Sequence, residues 1–266
     1  MVKRHLTGTT ALTAVQEAEF DNFKLSTLNT FTSMVGRGQS GKSTFQRFLI
    51  DRASLAGRTI ILVDADTVNA SMKGTYADAV QPKSAALPVV TNFVNENLAE
   101  FFAGDRSYML DLTGQDKTFE RVLKQGNIRK MQERTGKKIV IYQLFGPNID
   151  HISAFETSYG ELGDSVQWII VLNYGLANDG DEIRQFQPVR DHPGIRAALD
   201  RDAEIVVFPR NPVIDEIEAL GLSFAAALRG MPGREGKVLN AWNINRLEAW
   251  MENVEAEFES VLRWLP

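Results

Sequence analysis

An apolar run from Thr30 to Val35 stops at a glycine, and Gly36-Arg-Gly-Gln-Ser-Gly-Lys42-Ser43 follows before a helical pattern takes over at Thr44. Gly-x4-Gly-Lys-Ser between a strand and a helix is the spacing of a phosphate-binding P-loop. Gly36, Gly38 and Gly41 let the backbone curl so that its N–H groups, with those of Arg37, Gln39, Ser40 and Thr44, face phosphate oxygens. Lys42 is placed to reach the β- and γ-phosphates, and the Ser43 hydroxyl to ligate Mg²⁺. The positive end of the following helix favours the same anion. The motif therefore predicts a site for a nucleoside triphosphate such as ATP.

The rest of the chain alternates strand and helix patterns. Thr44 to Leu55 repeats apolar residues at helical spacing (Phe45, Phe48, Leu49, Leu55) and Gly57 ends the run. Thr59 to Val63 is continuous and β-branched, as in a strand buried on both faces of a parallel sheet. Further strands are predicted at Ser107 to Leu110, Lys138 to Leu144, Gln167 to Leu172 and Ile205 to Phe208, with a helix over Leu87 to Phe102 and another over Lys117 to Arg134. Such alternation implies an α/β fold, a mainly parallel sheet flanked by helices. Asp64, Asp66, Asp111 and Asn173 all fall at predicted C-terminal strand ends, where open α/β sheets bind their ligands.

These segments resemble, in content and in order, the ParA/MinD group of deviant Walker ATPases. Arg37 stands where that group has its signature lysine. VDADTVN (63–69) looks like its second acidic motif, YMLDLTG (108–114) like its Walker B strand, VLNYG (171–175) like its adenine-side strand, and VVFPRNPVIDEIEALG (206–221) like its last core strand and helix. Two departures stand out: Arg37 replaces the lysine, and Gln39 replaces the second glycine of a pair. Arginine keeps the charge and adds a planar fork suited to phosphate.

The resemblance implies a P-loop ATPase domain over residues 29–238, with an N-terminal extension (1–28) and a C-terminal amphipathic helix (239–266). It also implies roles. Asp66 would orient the attacking water, and Asp111 would hold Mg²⁺ through water. Asp64 would either support the metal's shell or cap the next turn. Gly114 would approach the γ-phosphate or simply turn the chain. Asn173 would contact the adenine edge or form the turn before Gly175, and the loop at Pro209 and Arg210 would cover the base. ATP would join two subunits into a homodimer, with Arg37 reaching across to the other subunit's phosphates. Slow hydrolysis, stimulated by a partner protein, would release the pair. The cargo implied is plasmid DNA or something similar.

The most basic run, Arg121, Lys124, Arg129, Lys130, Arg134, Lys137 and Lys138, is either a non-specific DNA-binding face or an ordinary solvated one. A formal net charge of −5 argues against a surface covered in nucleic-acid contacts but permits a local patch. With no cysteine in 266 residues, disulfides, thiolate metal sites and a cysteine-held iron–sulfur cluster are excluded. The N-terminal stretch has no apolar core of signal type, and no run of about 18 apolar residues could span a bilayer, so a cytoplasmic protein is expected, nucleoid-associated where it binds DNA. The C-terminal stripe Leu247, Trp250, Met251, Val254, Phe258, Val261 and Leu262 carries Glu248, Glu252, Glu255, Glu257 and Glu259 on its polar side, the wrong sign for anionic lipid, which favours packing on the domain or a partner. Three other functions stay open: a P-loop kinase or ligase acting on a small molecule, a non-hydrolysing scaffold, and a membrane-associated regulator of placement.

Overall fold

A computed structural model describes residues 26–66, 71–112, 116–149 and 152–266. The sequence pattern over Ala14 to Phe23 predicts a short helix, which together with Gly114 lies outside that set.

Six strands, β1 (Thr30–Val35), β2 (Ile60–Asp64), β3 (Ser107–Asp111), β4 (Lys138–Phe145), β5 (Gln167–Asn173) and β6 (Glu204–Phe208), form one sheet in the order β2-β3-β1-β4-β5-β6. Every pairing is parallel. Parallel neighbours need crossovers, and the helices that make them cover both faces. This is the P-loop type of α/β fold. Alternate strand residues divide between two cores: Met34, Met109, Val140, Tyr142 and Val171 enter one, and Phe31, Leu110, Ile141, Phe145 and Ile170 the other. The chain goes to one side of β1 for β2 and β3 and to the other for β4 to β6. The change of direction at β1 opens a crevice at its C-terminal end, directly below the glycine-rich loop.

The first face is covered by α1 (Lys42–Leu55), α9 (Ile214–Leu220), α10 (Phe224–Leu228) and α11 (Ala241–Glu257). Helix α1 buries Phe45, Phe48, Leu49 and Ala53, the i, i+3, i+4 stripe expected of a core-facing helix. It ends in a Schellman turn: Arg58 N–H donates to Ala53 O at 2.8 Å and Gly57 N–H to Ser54 O at 3.1 Å, with Gly57 at φ 75°. Helix α11 lays Leu247, Trp250, Met251 and Val254 into the same core, and the 3₁₀ turn Glu259–Trp264 continues it with Val261. Glu255, expected on the polar side, is drawn inward. Both its oxygens accept from the guanidinium of Arg52, which is 1% exposed, so the ion pair ties α11 to α1.

The other face carries α3 (Leu87–Ala103), α4 (Thr118–Gln125), α5 (Ile128–Thr135), α6 (Ile152–Leu162), α7 (Glu182–Arg190) and α8 (Pro193–Leu199). One helix was expected from Lys117 to Arg134, but the chain breaks at Gly126-Asn127, where Asn127 takes a left-handed conformation (φ 45°, ψ 53°), and resumes as α5. The break lets Ile128 turn into the core while Val122 and Leu123 of α4 stay buried. A short helix, α2 (Ser71–Thr75), follows β2, and Val80 then makes a parallel bridge to Val63 along that edge of the sheet.

Candidate nucleotide site

The loop between β1 and α1 ends at Gly41, which is left-handed (φ 86°, ψ 17°) and gives α1 no side-chain cap. A helix start normally satisfies its free N–H groups with a Ser, Thr, Asp or Asn side chain. Here no side chain takes that place, an arrangement typical of anion-binding helix starts. Gly41 is required twice over, because any Cβ at that position would also run into the Asn173 amide. Arg37, Gly38, Gln39 and Ser43 are exposed, whereas Ser40 is buried and its hydroxyl has no partner. Gln39 sits at φ 63°, a backbone state that glycine adopts freely and a side chain does not. The departure from glycine noted in the sequence is therefore a strained position.

Lys42 folds back along the loop, its ammonium donating to Gly36 O at 2.8 Å and Arg37 O at 3.0 Å. Burial, the larger effect, lowers its pKa, and the charges of Asp111 and Asp66 oppose that shift. Lys42 of the P-loop therefore feels carboxylates from the ends of both β2 and β3. Asp111 is reached because β3 lies next to β1, and by the alternation of β3 it points to the α1 side of the sheet, as Met109 does.

Asp64 sits opposite Asp111 in the β2–β3 register and is fully buried. Its Oδ2 accepts from Lys73 N–H at 2.8 Å and from Gln81 Nε2 at 3.3 Å, while Oδ1 is buried without a partner. It holds the segment after β2 in place. Neither Lys73 nor Gln81 carried any sequence signal for this contact.

The predicted base-side residues come together. Asn173, Pro209 and Arg210 line a cavity of about 470 Å³ along with Gly41 and Thr44 of the P-loop. The Asn173 side chain is already committed on two sides: its Nδ2 donates to Ser40 O at 3.0 Å and its Oδ1 accepts from Gly175 N–H at 3.1 Å. It therefore clamps the P-loop to the end of β5, leaving one N–H and one lone pair facing elsewhere. Arg210 pairs with Asp179 at 3.1 Å and donates to Ala177 O, which draws the 176–179 turn toward the cavity. Trp250 of α11 donates from Nε1 to Pro209 O at 3.0 Å, fixing the same loop from behind. Only the ring-bearing spacing of the C-terminal stripe hinted at Trp250, and it gave no partner.

The seven cations of the basic run are spread over α4, α5 and the start of β4 rather than gathered at the P-loop edge. Lys124 pairs with Glu161 at 3.1 Å and Arg129 with Asp164 at 2.5 Å. Lys137 caps the end of α3, donating to Phe101 O and Gly104 O and lying over the Phe101 ring. Arg121, Lys130 and Arg134 are exposed, and Lys138 is half-buried.

Among the described residues no group of three or more His, Cys, Asp or Glu is placed to hold a metal, and no helix is long and apolar enough to cross a membrane. Ser43 and Asp111 nevertheless fit magnesium that arrives with a nucleotide, since this ion commonly takes one or two protein oxygens and completes its octahedron with phosphate and water.

No family model matches the sequence, and no curated protein matches it. Among solved structures, the chain is similar to the MinC:MinD cell division protein complex of Aquifex aeolicus, at 16% identity and TM-score 0.47 over 84% of this chain and 96% of that one. It is also similar to a nucleotide-binding protein in complex with ADP from Archaeoglobus fulgidus, at 14% identity and TM-score 0.44 over 72% of this chain and 86% of that one.

Proposed function

We propose that the chain is a magnesium-dependent ATPase that works as a nucleotide-controlled dimer switch and partitions or positions DNA or a similar cargo. One observation carries this reading: an uncapped helix N-terminus begins at left-handed Gly41 beside a cavity lined by Asn173, Pro209 and Arg210, with Lys42 folded along the loop. The amides of Gly38 to Ser43 and the Lys42 ammonium bind the phosphates. Asp66, 7% exposed, accepts a proton-bearing contact from the attacking water and orients it. Ser43 and Asp111 hold magnesium, which when bound neutralises charge on the phosphate oxygens. The exposed Arg37 side chain is free to reach the phosphates of a second subunit. A small-molecule kinase has no evident use for such a cation at the loop's tip.

Solution mass with ATP and with ADP tests the switch on the wild type, on Asp66→Ala and on Asp66→Ala with Arg37→Ala. A dimer that appears only with ATP, persists in Asp66→Ala and disappears when Arg37 is also removed supports the reading. A monomer under all conditions, with ATP binding verified, sinks it and favours the kinase or ligase alternative. For DNA, Lys130→Glu with Arg134→Glu is the informative pair. Reversal at Lys124 or Arg129 would also set like charges against Glu161 or Asp164 and confuse binding with folding. ATP-dependent retention on DNA that is unchanged by the pair excludes this face.

A further inference from the structure

Helix α11 turns one stripe, Asn243, Leu247, Trp250, Met251 and Val254, inward and leaves the opposite one in solvent. The outer stripe runs Trp242, Asn245, Ala249, Asn253 and Ala256, all exposed, at the three- and four-residue spacing by which one helix meets another. Trp242 is 71% exposed, the largest apolar side chain left in solvent among the described residues, and Val238 just before the helix is 55% exposed. Two charges flank this stripe. Arg246, one turn after Trp242, donates to Asn243 Oδ1 at 3.2 Å, and Glu252 is exposed two turns further on. Neither has an ion-pair partner among the described residues. Tryptophan and arginine are the side chains that most often anchor an interface.

These features complement themselves in one arrangement. An antiparallel copy whose two-fold axis passes Ala249 sets Trp242 over the partner's Ala256, Asn245 against the partner's Asn253 and Arg246 against the partner's Glu252, and the symmetry makes each contact twice. Ala249 then meets its own counterpart, and methyl-sized side chains there and at Ala256 let the helix axes approach to about 8 Å. A parallel copy would oppose arginine to arginine and glutamate to glutamate, so the charges select the antiparallel pair. We propose that the outer face of α11 is an interface with a second copy of this chain, paired antiparallel about Ala249. From Trp242 to Ala256 the contact is about 21 Å long at ~1.5 Å per residue, and one helix wide. That is small, so the pair is weak and exchanges readily. The face lies on the far side of α11 from α1 and involves no residue of the glycine-rich loop, so the inference does not depend on what the nucleotide site does.

The test is sedimentation equilibrium of the full chain without nucleotide, over roughly 5 to 300 μM protein at low salt, where a weak and partly ionic pair is populated. The wild type should rise from the 29.7 kDa monomer toward twice that mass. Arg246→Glu and Glu252→Arg should each raise the dissociation constant at least about tenfold, because either change sets like charges against each other at both ends of the contact. Mixed in equal amounts, the two variants restore opposite charges across the pair and should associate within about threefold of the wild type. Recovery on mixing also shows that the single variants are folded. A monomer at every concentration overturns the proposal. So does association that neither reversal weakens, or a loss that mixing does not restore.

Discussion

Asp51 on α1 is 2% exposed and holds two elements to the P-loop helix: Phe224 N–H donates to it at 2.6 Å from α10, and the Tyr76 hydroxyl at 3.1 Å from the segment after α2. Burial outweighs both bonds and the nearby Arg47 charge, pushing the carboxyl from 3.8 up to about 6. The folded protein thus holds this proton more tightly than the unfolded chain. Its contribution to stability is fully present below the unfolded value and is lost as pH rises through the folded one. Linkage with those two values gives a loss of about 2 kcal/mol between pH 4.5 and 7.5 from this group alone. Asp51→Asn cannot titrate, and the other carboxylates titrate alike in both proteins and cancel in the difference. Urea unfolding of wild type and Asp51→Asn across that range should therefore show the stability difference shifting by about 2 kcal/mol in favour of the wild type on acidification, with the change centred between the two pKa values. Parallel curves would refute the argument and mean that Asp51 is solvated in the folded protein.

Glu255→Ala should cost about 3–5 kcal/mol in urea unfolding by taking the carboxylate away from the buried Arg52 guanidinium, whereas Arg52→Met combined with Glu255→Leu should recover most of the loss. Gln39→Gly should raise stability by roughly 0.5–1 kcal/mol, the left-handed strain relieved less the backbone entropy of glycine, and a thermal melt with no gain would show that the Gln39 side chain makes a compensating contact. Asn173→Ala should weaken ATP and GTP binding by the same several-fold factor, because it unclamps the loop at Ser40 O. A titration in which ATP alone suffers would return the residue to a base-reading role.

How legible the molecule was depended on the range of each interaction. The strands could be read because burial on both faces demands unbroken apolar runs such as IILV and IVIY, and the P-loop because its chemistry is compressed into a few consecutive residues. The contacts of Asp64 and Asp66 could not be read from the sequence. They lie two residues apart at the same strand end, and what parts them is Lys73 N–H, which claims Asp64, and Lys42, which feels the charge of Asp66. The break at Gly126-Asn127 was signalled by a turn-forming pair but overridden by the helical spacing around it. Contacts separated by hundreds of positions, such as Arg52 with Glu255, leave no local trace at all.

Those distant contacts are what make the C-terminal part of the chain more than an appendage. Helix α1, which starts at the glycine-rich loop, is held by α10 through Asp51 and by α11 through Arg52. Between them, Phe48 packs against Phe208, Trp250 and Phe258, so a β6 ring and two C-terminal rings bear on one α1 side chain. Trp250 then reaches past this cluster to Pro209 O in the loop that borders the base-side cavity. The phosphate end and the base-side end of the site thus share one rigid support. A domain cut at residue 238 would lose Trp250, Phe258 and Glu255 together, and with them the support behind both halves of the nucleotide site.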